Sequence, residues 1–307
     1  MKRIFIIFSI FISWFLISCS ESKIFNIYLP DGTPVLALAN LLQKNDNRFS
    51  INIVNPTEIA SSVASNDCQM AILPTISAAK LYKKNNIDIK LVSCNIFGSL
   101  YIASKSSVAS LDDFKGHIIY STAGTTVDLL KYILNKNNIK YNMSTELKSD
   151  EVSIATVSSA QEIIPLLNSK NDTFGILGEP VLSQALNKID GLNIALDLQI
   201  EYQKINNESS FPQACFVVKT SFANNNSKVL EEIISLLEDN KSFLNNNVEK
   251  LNDILKNYST TLKDLKFSQE LIKRCNVDYQ NSTSVKQSVN KYVYDIGDII
   301  LDDEFYY

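Results

Sequence analysis

The sequence predicts an α/β protein made of two similar lobes, and three observations carry that expectation. One stretch occurs twice at a constant offset of 92 residues. Ile27-Tyr28-Leu29-Pro30-Asp31-Gly32-Thr33-Pro34-Val35-Leu36-Ala37-Leu38 overlays Ile119-Tyr120-Ser121-Thr122-Ala123-Gly124-Thr125-Thr126-Val127-Asp128-Leu129-Leu130, matching at Ile, Tyr, Gly, Thr, Val and the last Leu. Further words repeat at an offset of 104: Asn55-Pro56-Thr57-Glu58-Ile59 with Ser159-Ala160-Gln161-Glu162-Ile163, and Ala71-Ile72-Leu73-Pro74-Thr75 with Gly175-Ile176-Leu177-Gly178-Glu179. The length, 307 residues, suits two domains or lobes.

Each copy of the first repeat reads as an apolar strand, a Gly-Thr turn and an amphipathic helix. In the second copy Val127, Leu130, Ile133 and Leu134 fall on one helical face. A strand entering a helix through a short Gly turn leaves the first helical N–H groups unpaired and aimed beyond the strand end. Gly32 and Gly124 let a backbone approach closely, and Thr33 and Thr125 add hydroxyls that serve equally well as helix caps. Two such units face to face make a cleft. The words at 55–59 and 159–163 read as helix starts with Glu three positions after a cap residue.

The chain opens with an export signal. Lys2 and Arg3 precede an apolar run at 4–17, broken only by Ser9 and Ser13. That run is short for a membrane span and fits a signal-peptide core. It ends in Leu16-Ile17-Ser18-Cys19, which resembles the bacterial lipoprotein cleavage box. The resemblance implies a signal peptide at 1–18, lipid attached to Cys19 and a tether at 19–23. An ordinary secretory signal or an uncleaved anchor are the plainer readings of the same run.

Composition is that of ordinary globular material, 45% hydrophobic and 20% charged. Without Lys2 and Arg3 the chain keeps 27 Lys and Arg against 33 Asp and Glu, a net charge near −6. That charge argues against a nucleic-acid partner. Gly is scarce at 8 residues, and the Asn runs at 224–226 and 245–247 read as surface loops. Four cysteines remain after Cys19: Cys68, Cys94, Cys215 and Cys275. They allow three pairings, and Cys94 and Cys215 sit in apolar runs that favour buried thiols. No CxxC occurs, and the single His117 has no Cys or His near it in sequence. No metal site or cofactor is expected.

Taken in order, the first lobe starts with a strand at 24–29 and a helix at 35–43. A strand at 50–54, a helix at 57–65, a strand at 70–73 and a helix at 76–84 follow. Strands at 87–94 and 99–103 come next, separated by a short loop, Asn95-Ile96-Phe97-Gly98, which makes Phe97 a candidate cleft wall or a core aromatic. Helices are expected at 227–239, 241–257 and 284–300, with Val229, Ile233, Leu236 and Leu237 packing onto the first lobe. The acidic Asp302-Asp303-Glu304 is expected to be a solvated tail.

A family resemblance rests on Ser110-Leu111-Asp112-Asp113-Phe114-Lys115-Gly116-His117 before an apolar strand, which is similar to a phrase in the second lobe of ABC-transporter substrate-binding proteins. Gly175-Ile176-Leu177-Gly178-Glu179-Pro180, Pro30-Asp31-Gly32-Thr33-Pro34 and Phe211-Pro212-Gln213-Ala214 resemble segments of the branch that binds nitrate, sulfonates, taurine and thiamine precursors. The order of these motifs carries the resemblance across nearly the whole chain after Cys19. It implies a bilobed periplasmic-binding-protein-like clamshell, two α/β lobes joined by two crossing strands. On that frame lobe I is 24–104 plus 212–307 and lobe II is 105–211, with crossings near 102–106 and 211–217.

The resemblance also implies the role: an exported, lipid-anchored protein that captures a small organic molecule and delivers it to an ABC permease driven by a separate ATPase, acting as a monomer and not as an enzyme. The expected ligand-binding residues are Asp31, Gly32, Thr33, Thr75, Phe97, Gly98, Gly124, Thr125, Thr126 and Glu179. Helix N-termini favour an anion or a carbonyl. Asp31, Asp128 and Glu179 together with the lack of Arg in these loops favour a neutral or cationic molecule stacked on an aromatic. Two other readings are a surface adhesin or antigen whose pocket has lapsed, and a biosynthetic enzyme of the same fold. The one His and absent Cys cluster speak against the enzyme.

Overall fold

A computed structural model describes residues 24–208 and 210–307. The signal at 1–18, Cys19 and the tether at 19–23 lie outside the described residues. The strands are β1 (Phe25–Pro30), β2 (Phe49–Val54), β3 (Met70–Pro74), β4 (Ile89–Phe97), β5 (Leu100–Ser104), β6 (Ile118–Thr122), β7 (Tyr141–Asn142), β8 (Val152–Val157), β9 (Phe174–Gly178), β10 (Asn193–Asp197), β11 (Pro212–Lys219) and β12 (Val277–Asn281). They form two six-stranded mixed sheets, ordered β12-β4-β11-β3-β1-β2 and β10-β5-β9-β6-β8-β7.

The internal repeat is a repeat of sheet register. In the first sheet Ile27 pairs with Met70 and Tyr28 with Ala71, parallel. In the second Ile119 pairs with Phe174 and Tyr120 with Gly175, parallel. The outer parallel partners are β2 and β8. Beside these, β11 lies antiparallel to β3 in the first sheet and β5 antiparallel to β9 in the second. Ile27, Ile119, Ala71, Ile72, Ile176 and Leu177 are all buried, as parallel strands covered by helices on both faces require.

The chain changes sheet twice. β4 runs through Phe97, and β5 begins at Leu100, so the first crossing is Gly98-Ser99. The second follows β10 through the helix Leu198–Asn206 to β11. This corrects the expected boundary at 104/105, because β5 hydrogen-bonds into the second sheet. An apolar strand carries no mark of which sheet it will join. It also removes the loop expected at 95–98: Asn95 and Ile96 continue β4, buried against β11 and β12.

Two further expectations need correcting. The helix expected at 35–43 is two short pieces, Thr33–Leu36 and Ala39–Lys44. The tail at 302–304 is docked: Asp302 accepts hydrogen bonds from the Tyr82 hydroxyl and from Lys83 Nζ, both at 2.5 Å, and Phe305 is fully buried 5.0 Å from the Tyr82 ring. Tyr307 N donates to Leu91 O at 2.9 Å, which extends the first sheet beside β12.

Scarce glycine has a visible consequence. Five of the described helices end at a residue in the left-handed region, and those residues are Asn45, Asn86, Asn207, Asn276 and Asp298. Asn and Asp tolerate that conformation better than other side chains, so part of the Asn richness does the capping that Gly does elsewhere.

Candidate functional site

The turns after β1 and β6 have nearly the same backbone. Gly32 has φ 98 and ψ −138; Gly124 has φ 85 and ψ −139. A side chain is strained at such a φ, which is why both copies of the repeat carry Gly. The surroundings differ. A Cβ on Gly32 would meet Pro180 Cδ at 3.4 Å, across the junction of the two lobes, whereas one on Gly124 would meet no atom within 4 Å.

Asp31 is bonded within its own lobe. Its carboxylate accepts from Ser259 Oγ, from Thr260 N and Oγ1 at 3.1 and 2.7 Å, from Thr261 N and Oγ1 at 3.0 and 2.8 Å, and from Gly32 N at 2.7 Å. Burial alone would raise its pKa. The donors from Ser259, Thr260, Thr261 and Gly32 outweigh burial and hold it below the usual 3.8. Thr33 is buried, and its Oγ1 donates to Glu179 O at 2.6 Å, a bond between lobes.

Glu179 is the most enclosed charge of the predicted set, with its side chain 0% exposed. It accepts from Arg274 Nε at 2.5 Å and from Ser183 N and Oγ at 3.1 and 3.0 Å. Arg274 comes from the last turn of the helix Gln269–Cys275 in the first lobe. The pairing raises its pKa against the opposing effect of burial. Arg274 Nη2 also reaches Ser183 Oγ at 2.9 Å, and the Tyr101 hydroxyl donates to Arg274 O at 3.1 Å.

Phe97 and Gly98 stand at the crossing. Phe97 is buried, and its carbonyl accepts from Asn276 Nδ2 and from Gln199 Nε2. Gln199 Nε2 also reaches Gly98 O at 3.2 Å and Ser210 Oγ at 2.9 Å. Behind the crossing Phe211 stacks on Tyr292 at 5.6 Å, and Tyr202 meets both edge-on. On the far side the Tyr132 hydroxyl donates to Asp295 Oδ2 at 3.0 Å, a further bond between lobes.

Thr75 opens the helix Thr75–Asn85 and is fully buried. Its Oγ1 lacks a partner with hydrogen-bond geometry, yet it lies close enough to the thiols of Cys94 and Cys215 to lower their pKa values somewhat. Burial dominates and pushes the Cys215 thiol up to about 12, so it stays protonated. Cys94 and Cys215 face each other across β4 and β11, and all four described cysteines are free thiols.

The structure therefore brings Asp31–Thr33 and Glu179 together, sets Phe97 and Gly98 at the crossing, and leaves 124–126 open on the second lobe. Among the described residues no hydrogen bond joins 124–126 to the other predicted turns. Asp31 and Glu179 are spent on internal partners and Asp128 lies 3.8 Å from Lys131, so the acids that weighed against an anion are each compensated. Sequence reasoning missed Arg274 and the Ser259–Thr261 run. One signal was present: Arg3, Arg48 and Arg274 are the only arginines in a lysine-rich chain, and Arg is the residue suited to a buried, forked carboxylate contact.

No family model matches the chain, and no curated protein matches it by sequence. Solved structures do match. One titled as an ABC transporter from Parabacteroides distasonis has 21% identity and a TM-score of 0.74, covering 93% of this chain and 99% of that one. The periplasmic aliphatic sulphonate-binding protein SsuA of Escherichia coli has 14% identity and a TM-score of 0.63, covering 91% and 92%. A ligand-binding component of an ABC-type import system from Staphylococcus aureus, with zinc bound, has 13% identity and a TM-score of 0.61, covering 92% and 98%. The chain has the bilobed fold of these proteins over nearly its whole described length.

Proposed function

We propose that the chain is an extracytoplasmic solute-binding protein of the ABC-importer class, of the branch that binds nitrate, sulfonates, taurine and thiamine precursors. It takes a small organic molecule between its lobes and hands it to a membrane permease driven by a separate ATPase. The observation that carries this reading is the pair of matched strand–Gly-turn–helix units, Gly32 and Gly124, mounted on two sheets of the same register and joined by two crossings. A ligand bridging such lobes stabilises the closed state through contacts that the open state lacks.

The open turn at 124–126 and the helix N-terminus it begins supply donors for an oxygen-rich group on the solute. The aromatic cluster of Tyr132, Tyr202, Phe211 and Tyr292 supplies an apolar wall behind the crossing. The leader at 1–18 and Cys19 support export and a lipid anchor that keeps the protein near its permease. No helix among the described residues is long and apolar enough to cross a membrane. Among the described residues no nucleophile–base pair speaks for an enzyme, and the proposed role needs neither a second copy of the chain nor a cofactor.

Purified chain weighed by native mass spectrometry, before and after denaturation, tests the reading. A small stoichiometric adduct lost on unfolding is the expected result. No adduct, together with no thermal shift across pyrimidines, sulfonates, nitrate and amines, moves the assignment to a surface protein whose pocket has lapsed.

A further inference from the structure

Glu179 follows β9 in the second sheet, and Arg274 lies three residues before β12 in the first. Their ion pair, 2.5 Å long, therefore spans the two lobes. The glutamate side chain is 0% exposed and the arginine side chain 18%. Around them run four more bonds between lobes: Arg274 Nη2 to Ser183 Oγ at 2.9 Å, Thr33 Oγ1 to Glu179 O, the Tyr101 hydroxyl to Arg274 O, and Gln184 Nε2 to Thr261 O at 3.1 Å. We propose that Glu179 and Arg274 form a closure latch, made when the lobes meet and broken when they part, with Arg274 as the positioning residue; this rests on the solute-binding reading above.

Each half of the latch has a partner in its own lobe. Ser183 N and Oγ hold the Glu179 carboxylate at 3.1 and 3.0 Å, and Glu270 holds Arg274 Nη1 at 2.7 Å. When the lobes separate, neither charge is stranded, and both stay aimed for the return. A permanent structural pair has no need of such duplicate partners. The chain path also permits the motion. The lobes connect through Gly98-Ser99 and through 198–211, and Gly98 sits at φ +53, a backbone setting that Gly adopts freely. All the contacts around the latch are side-chain bonds, which a rigid-body rotation breaks without disturbing either sheet.

The energetics suit a reversible contact. A buried ion pair gains little net, because its attraction is offset by lost hydration, so the closed state is not trapped. Removing one partner is different. Without Arg274 the Glu179 carboxylate is buried and uncompensated when closed but hydrated when open, which penalises closure alone; without Glu179, Arg274 keeps Glu270 and loses the contact that spans the lobes. Removing both with apolar residues of similar volume lifts that penalty. The second substitution therefore reverses the loss of closure that the first causes, a pattern that a purely structural role does not produce.

The test is the distance between spin labels at Lys84→Cys in the first lobe and Lys188→Cys in the second, measured by pulsed dipolar spectroscopy on the full chain. Both positions are exposed, and the four described native thiols are buried. The parent protein should show a population at the separation of the structure. Arg274→Met should deplete that population by about tenfold or more. Glu179→Gln, which keeps the Ser183 bonds, should deplete it also. Glu179→Leu with Arg274→Met should restore it to within about threefold of the parent. Unchanged distances in both single variants, or a parent lacking the short population, overturn the latch. A solute adduct that persists in native mass spectra of variants with unchanged distances would sink the latch and leave the solute-binding reading standing.

Discussion

At Gly98 two constraints meet in one residue. Its φ of +53 excludes most side chains, and an added Cβ would lie 2.8 Å from Ser210 Oγ and 2.9 Å from Phe211 Cε1. Gly98→Ala should lower stability by about 1–3 kcal/mol, combining left-handed strain with overpacking. Denaturant unfolding checks this, and an unchanged midpoint would contradict it. Asp31 makes a different prediction. Its folded pKa lies below its unfolded value of 3.8, so its stabilising contribution is present above about pH 4 and lost as pH falls through the lowered folded value. Asp31→Asn should therefore lose stability at neutral pH, and the gap to the parent should close as the solution is acidified. A gap independent of pH would show that the carboxylate's ionisation is not what the 259–261 segment responds to.

At the level of elements, helix ends and the C-terminal tail carry the testable content. Asn86 ends the helix Thr75–Asn85 at φ 53 and donates its N–H to Leu81 O. Asn86→Gly should be neutral or stabilising, and Asn86→Ala should cost about 1 kcal/mol, since alanine pays for the left-handed backbone without a compensating side chain. Thermal melts of the pair give the sign. The tail is held by Phe305, fully buried against Tyr82 and Tyr306. Phe305→Ala should cost about 3–5 kcal/mol, the range for truncating a buried phenylalanine. A loss under 1 kcal/mol would return the tail to the solvated state that its acidic sequence suggests. Composition misleads there because Asp302, Asp303 and Glu304 are charged while the residue that anchors them comes next.

Much of the fold was legible in these elements. The Ile-Tyr and Gly-Thr words at an offset of 92 and the Ile-Leu words at 104 mark equivalent strands and turns, and the sheets pair them in equivalent register. Strand-to-sheet assignment was not legible, because β5 looks like any apolar strand and its partners β9 and β10 are distant in sequence. The site was legible in part. Its turns follow from local Gly-Thr chemistry, whereas their partners do not. Asp31 meets Thr261 over 230 residues and Glu179 meets Arg274 over 95, and nothing local in either segment announces the match. Reading Asp31 and Glu179 as charges facing a ligand treated them as unpaired, and the fold had already paired them.

For the whole molecule, the claim is that two matched lobes, hinged at Gly98-Ser99 and 198–211, close on a solute. The measurement that meets this most directly is native mass spectrometry of the purified chain, with the denatured mass as reference. The account predicts a single small adduct at one per chain, present when folded and absent when unfolded. A folded chain that carries no adduct, and whose thermal midpoint does not move with any solute in the panel, would contradict it.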